Sequence, residues 1–558
     1  MRIDSVSRST HHSTFSNRSA AIGLIIAGLS LFVGCNNSRG NGPAATFTVG
    51  GTLVNLAPNS DGIVLQNDGT DDLTLNANGT FQFPVSVVSG GRYDVTVMSQ
   101  PSTPAQTCDV TAAIGAATEN INTVKVDCSH NEWAWMSGSQ AINQIGTYGT
   151  LGAPNPRNTP GGRQFPATWT DSSGNLWLFG GYGYDSAGQL LPFNDLWKFS
   201  SGQWTWMGGP TLAGAAGNYG TLGVPSSTNI PGARFEAMSW TDSAGNFWLF
   251  GGVGFDSQGN ESPMNDLWKY SKGEWTWMGG SKAGGQHGVY GTMGIADPSN
   301  MPGGRSDSII WLDRSGKLWL FGGIGYDQSS PYNGELNDLW EYSDGEWTWM
   351  AGDKVEQQAG NYGAEGVASP MNLPSARVGA YGWIDATGNL WVFGGAGIDS
   401  TGAGTILNDL WEYSPSSGEW TWVSGSDVGN KPGVYGTKGL VAATNMPGGR
   451  QYGIAWADAE GNAWIFGGNG LDATGGAGGL NDLWEYSAGQ WTWMSRANVV
   501  DQNSSFGVEG SPAPGNAPGG RSSSARWLDS NQKLWLFGGY GSVSGNMGNL
   551  NDLWIYTP

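Results

Sequence analysis

Six arginines recur at one position of a long repeat: Arg163, Arg234, Arg305, Arg377, Arg450 and Arg521, each directly after a Pro-Gly or Pro-Ser turn. A guanidinium offers a planar fork of N–H donors that matches a carboxylate or sulfate, so a ring of six arginines could hold an acidic ligand. Each repeat also carries an aspartate in an Asn-Asp-Leu-Trp string, Asp195 in the first. Since every repeat keeps both partners while a single ligand would break the symmetry, structural pairing is the favoured use. A second acid closes a Gly-Gly-x-Gly-x-Asp string at Asp185, Asp256, Asp327, Asp399 and Asp472, with Val543 in its place in the last repeat. One carboxylate per loop is a poor calcium cage, and the residue reads as a turn former. An aromatic before glycine also recurs, as Tyr148, Tyr219, Tyr290, Tyr362, Tyr435 and Phe506. It suits sugar stacking or, more simply, filling gaps between repeats.

Residues that refuse the repeat are the better candidates for specificity. His287 is the sole histidine in the repeats; Tyr332 and Glu335 lie in the longest loop of their kind, Glu261 in the neighbouring one, and Lys354 and Glu356 in a crossover. Together with Arg305 and Arg377 they are expected to form an off-centre ligand-binding patch. Only His11, His12, His130 and His287 exist, so Ser-His-Asp, Cys-His and zinc-spaced sets are absent, and neither a metal nor a cofactor is expected. Carboxylate, arginine and tyrosine chemistry of the kind glycan-processing enzymes use stays open.

The elements that must position these residues are short strands. From Gly162 to Gly209 the chain reads ATWTD, NLWLFGG, NDLWKF and QWTWMGG, apolar runs bounded by Gly, Asn, Asp and Ser. This spells four strands, here a to d, of one small antiparallel sheet. The strand b tryptophans Trp177, Trp248, Trp319, Trp391, Trp464 and Trp535 set a period near 71 residues, which marks an array of supersecondary units. A complete unit has five tryptophans. Five units use twenty-five of the thirty, and the rest divide between Trp133 and Trp135 at the front and Trp527, Trp535 and Trp554 at the back. The front fragment supplies a strand d and the back fragment strands a to c, so the ends are expected to share the sixth sheet and close a ring. The b-to-c and d-to-a connections are the long ones and emerge on one face, where binding is expected.

The Gly-Gly ending strand b, the aromatic of strand c and the tryptophan of strand d resemble kelch repeats over residues 130–558. The resemblance implies a six-bladed β-propeller, a fold that hosts sugar oxidases, epimerases and pure binding modules alike. Kelch copper oxidases use two histidines and two tyrosines, one crosslinked to a cysteine. The last cysteine here is Cys128, ahead of the propeller, so that chemistry is excluded.

The 93 glycines and 13 % charged residues fit an all-β chain, and a net charge of −21 argues against nucleic acid. Residues 1–35 read as an export signal: Arg2, Arg8 and Arg18 precede an apolar run, Ala20 to Gly34, too short for a comfortable span. Gly34 before Cys35 resembles a bacterial lipobox, which implies lipidation of Cys35 and attachment to the bilayer of the cell envelope, although Phe32 departs from the usual leucine. Residues 36–44 read as a tether. Residues 45–129 contain no tryptophan and alternate apolar and polar runs between turns, a small β-sandwich similar to immunoglobulin-like modules. Cys108 and Cys128 are expected to form a disulfide after export. The expected function is binding of a glycan or protein at the long-loop face, with glycan processing as the rival.

Overall fold

The structure, a computed structural model, describes residues 44–56, 60–101, 106–130, 132–458 and 460–557. Residues 1–35, expected to be an export signal, and with them Cys35 lie outside the described residues. Every element in the described residues is a β-strand; no helix occurs among them.

Residues 46–130 form two four-stranded sheets over one apolar core that contains Leu53, Leu65, Phe81, Val95 and Val126. Within that core the Sγ atoms of Cys108 and Cys128 are 2.06 Å apart, bonding distance for a disulfide.

From Glu132 onward the repeats build antiparallel sheets of the expected strand order. In the first repeat, strand a (Ala167–Thr170) pairs with b (Leu176–Phe179), b with c (Leu196–Ser200), and c with d (Gln203–Gly208). Strand b is buried along its whole length because both of its faces are covered. In the last repeat Glu132–Ser137 takes the place of strand d, paired antiparallel to Asn546–Thr557. Neighbouring sheets interlock through indole N–H donors: Trp169 Nε1 donates to the Trp248 carbonyl at 2.9 Å, and Trp527 Nε1 to the Trp177 carbonyl at 2.9 Å. The second of these bonds ties the last repeat to the first. On the other side Trp133 shares a core with Trp456, Trp464 and Trp554, which joins the last sheet to the one before it. The result is a propeller-like all-β arrangement.

One local expectation is corrected. The b-to-c connection is a hairpin extension rather than an open loop: in the third repeat Leu318–Gly325 and Gly334–Ser343 stay paired past Gly322 and Gly323. Those two glycines have φ of 62° and 91° and kink the strand. Beyond the kink its other edge leaves strand a (Ile309–Leu312) and pairs with the short strand Arg305–Ser306. The arginine is thereby fixed at the crossover end of its sheet.

Candidate functional site

The repeated arginines face inward, into the protein. Arg305 and Arg377, expected beside the ligand patch, are 0 % and 1 % exposed. Arg305 donates from both terminal nitrogens to Asp338, at 2.7 and 2.8 Å, and Arg377 likewise to Asp409, at 2.8 and 2.7 Å. The same bidentate pair is present in all six repeats. The aspartate is held further by the strand c indole and, in five repeats, by the crossover tyrosine. Asp338 Oδ2 accepts from Trp340 Nε1 and Tyr290 Oη, each at 2.7 Å. Burial and then the aspartate charge push the Tyr290 phenol far up, so it stays a donor. A guanidinium and a phenol committed in this way leave nothing for a ligand, and the ligand-facing reading of Arg305 and Arg377 gives way to pairing. The acid of the glycine-rich string acts as a turn former: Asp256 Oδ1 accepts from the backbone N–H of Gln258 at 2.7 Å and of Asn260 at 3.0 Å.

Of the loop candidates, Glu335 and Glu356 come close, the Gln357 N–H donating to the Glu335 carbonyl at 2.8 Å, and the His287 ring and the Glu356 N–H both contact Asp327. His287 packs edge-on against Tyr326, 5.7 Å between ring centroids, with Nδ1 3.3 Å from the Asp327 carbonyl. Tyr332 is 75 % exposed, and Glu261 is exposed at the start of its hairpin strand. Lys354 lies over the Trp349 ring at 4.5 Å, and Glu356 accepts from Ser330 Oγ at 2.8 Å. Glu335 lies on the hairpin strand opposite Ile324, and its charge acts on Tyr452.

The symmetry is broken instead two residues after each arginine, at Phe165, Glu236, Asp307, Gly379, Tyr452 and Ser523. All six take left-handed backbone, with φ between 52° and 64°, a conformation that costs a bulky residue about 1 kcal/mol or more. Backbone bonds from sheet to sheet hold them there. Glu236 donates to the Phe165 carbonyl at 3.1 Å, Asp307 to Glu236 at 3.2 Å, Tyr452 to Gly379 at 2.8 Å, Ser523 to Tyr452 at 2.7 Å and Phe165 to Ser523 at 2.8 Å. These six residues surround the axis of the sheet ring, and all line a cavity of ≈ 560 Å³ that continues down strand a past Thr168, Ser239 and Arg526.

The lining is divided by type. Glu236 and Asp307 are neighbours, half-buried, with Ser306 Oγ donating to Glu236 Oε2 at 2.9 Å. Asp307 Oδ2 is buried and has no donor besides a proton on the Glu236 carboxyl. Burial and then the Glu236 charge push Asp307 well above the usual carboxylate range, and burial raises Glu236 as well. Each carboxyl therefore holds a proton more readily than an isolated one does, and a proton held by one hydrogen-bonds to the other. The opposing arc is aromatic: Phe165 and Tyr452 meet edge-on at 5.2 Å. Tyr452 lies across Gly379, where a Cβ would come within 2.5 Å of its ring. Burial, then Asp307, Glu236 and Glu335, push the Tyr452 phenol up, so it too is a neutral donor. Arg526 is exposed in the channel and makes no ion pair among the described residues. Among the described residues no group of three or more His, Cys, Asp or Glu side chains could hold a metal.

Sequence reasoning missed this axial set because it looked for irregular residues in loops. The signal was nonetheless present: a position reading Phe, Glu, Asp, Gly, Tyr and Ser, two places after an invariant arginine, is irregular inside the most regular part of the repeat.

No family model matches the chain, and no curated protein matches it. Matching solved structures include one titled "Structure of YjhT", 15 % identical, which covers 71 % of this chain and 95 % of its own at a TM-score of 0.40.

Proposed function

We propose that the protein is an exported, lipid-anchored binding protein of the bacterial cell envelope, whose residues 130–558 form a six-bladed kelch β-propeller with a glycan site at its axial mouth. In this reading residues 1–35 direct export, Cys35 carries the lipid, residues 36–44 are a tether, and an immunoglobulin-like sandwich at 45–129 precedes the propeller. The observation that carries the glycan assignment is the axial lining. A ≈ 560 Å³ cavity combines two aromatic rings with carboxyl, phenol and hydroxyl groups, the mixture that stacks on a sugar face and hydrogen-bonds its hydroxyls. Left-handed backbone at the five axial positions that are not glycine supports a functional rather than a packing role.

One observation favours the rival reading, a glycan-processing enzyme: two neighbouring carboxyls whose burial and mutual repulsion favour the protonated form can give and take a proton during a reaction. A glycan array followed by product analysis, on the protein and on Tyr452→Ala, separates the two. Capture without turnover, lost in Tyr452→Ala, supports the binding protein. Turnover of a captured glycan makes it an enzyme, and capture of no glycan removes the glycan assignment.

A further inference from the structure

We propose that the axial mouth takes the ammonium group of an amino saccharide between the Glu236–Asp307 carboxyls and the Phe165–Tyr452 rings. This rests on the glycan reading and narrows it to a class. A carboxyl arc facing an aromatic arc across an open cavity is the arrangement that stabilises an organic cation, through charge on one side and ring quadrupoles on the other. Gly379 makes room for the Tyr452 ring, which lies across it and feels the charges of Asp307 and Glu236. Asp307 Oδ2 is a buried acceptor whose one donor is a proton on the Glu236 carboxyl, and an ammonium N–H replaces that donor when the proton leaves. A net charge of −21 draws cations toward the molecule.

Binding then has a proton balance. Burial and mutual repulsion favour a proton held between the two carboxyls of the empty pair. As the ammonium arrives it favours the doubly ionised pair, so the shared proton leaves to the buffer while the amine keeps its own. The other groups facing the pair do not supply that proton. The Ser306 hydroxyl already donates to Glu236, Tyr452 is held far above neutrality, and Glu335 acts through its charge. Arg526, the one cation lining the channel, lies in the strand Ala525–Leu528 that follows Ser523, and restricts the ammonium to the mouth.

The test is isothermal titration of the full chain, slightly below neutral pH, in two buffers of different ionisation enthalpy. The probes are a glucosamine oligosaccharide, its N-acetylated counterpart and spermidine. The expected result is at least about tenfold tighter binding of the amine form than of the N-acetyl form, with a heat that changes with the buffer and so reports proton release. Asp307→Asn and Glu236→Gln each weaken amine binding about tenfold and abolish the buffer dependence at an unchanged melting temperature; the wild-type buffer comparison decides the matter if neither folds. Equal binding of the N-acetyl form without proton release overturns the ammonium site and leaves the glycan reading standing. Spermidine binding alone, with proton release, keeps the ammonium chemistry and removes the glycan. No binding by any probe overturns the ammonium site, while the array result decides the glycan reading separately.

Discussion

Arg305→Leu tests whether the repeated arginines belong to the scaffold. In the wild type Asp338 is 0 % exposed and receives two bonds from Arg305, one from Tyr290 and one from Trp340, all between 2.7 and 2.8 Å. Removing the guanidinium leaves Oδ1 without a donor and a buried charge without a counter-charge, which costs about 3–5 kcal/mol. Asp338→Leu strands the guanidinium instead and costs a similar amount. The double variant removes both charges but leaves the Tyr290 hydroxyl and the Trp340 indole without an acceptor. At about 1–2 kcal/mol for each orphaned donor, it loses about 2–4 kcal/mol, far less than the two single losses added together. Urea unfolding followed by tryptophan fluorescence reads all three differences. Single losses below about 1 kcal/mol that add in the double variant would mean that Arg305 faces solvent or ligand, and would refute the reasoning.

Three further outcomes follow from particular residues. Phe506 occupies the place of the crossover tyrosine, 5.3 Å from the Trp554 ring, so Phe506→Tyr gives Asp552 an added donor; it should stabilise by about 1 kcal/mol and raise the melting temperature by about 1–2 °C. Glu132 begins the closing strand, is 3 % exposed, and is raised from 4.5 to about 7, chiefly by burial. The folded state then binds its proton more tightly than the unfolded state does, so stability falls as pH rises from 4.5 to about 7. Glu132→Gln removes that slope and stabilises the protein above neutrality by on the order of 1–3 kcal/mol; a pH series of denaturant midpoints that keeps the slope would contradict this. Cys35→Ala should move the protein from the membrane to the soluble fraction, and unchanged fractionation would remove the lipid anchor from the proposal.

Repetition made the scaffold legible in the sequence. Because each repeat restates the same strands, the pairing of Glu132–Ser137 with Asn546–Thr557 could be expected from the way the tryptophans divide between the two ends. The partner of each arginine was legible for the same reason, since a sixfold feature must serve something present in every repeat. The axial site was not. Arg305 begins its strand, and simple alternation suggests that it points to the axis; the left-handed residue at Asp307 breaks that alternation and aims a different side chain inward. A glycine at the equivalent place, Gly379, was the one local hint of positive φ. Neither the Glu236–Asp307 contact nor the Phe165–Tyr452 pair is visible in sequence, because each joins residues of different repeats whose distance is set only when the ring forms.

The most direct test of the central claim is a crystal structure of the protein with a glycan captured from the array. Density in the axial cavity, touching Phe165, Glu236, Asp307 and Tyr452, is the predicted result. Density on the outer loops around Glu261 and Tyr332, with the axial cavity filled only by water, would contradict it.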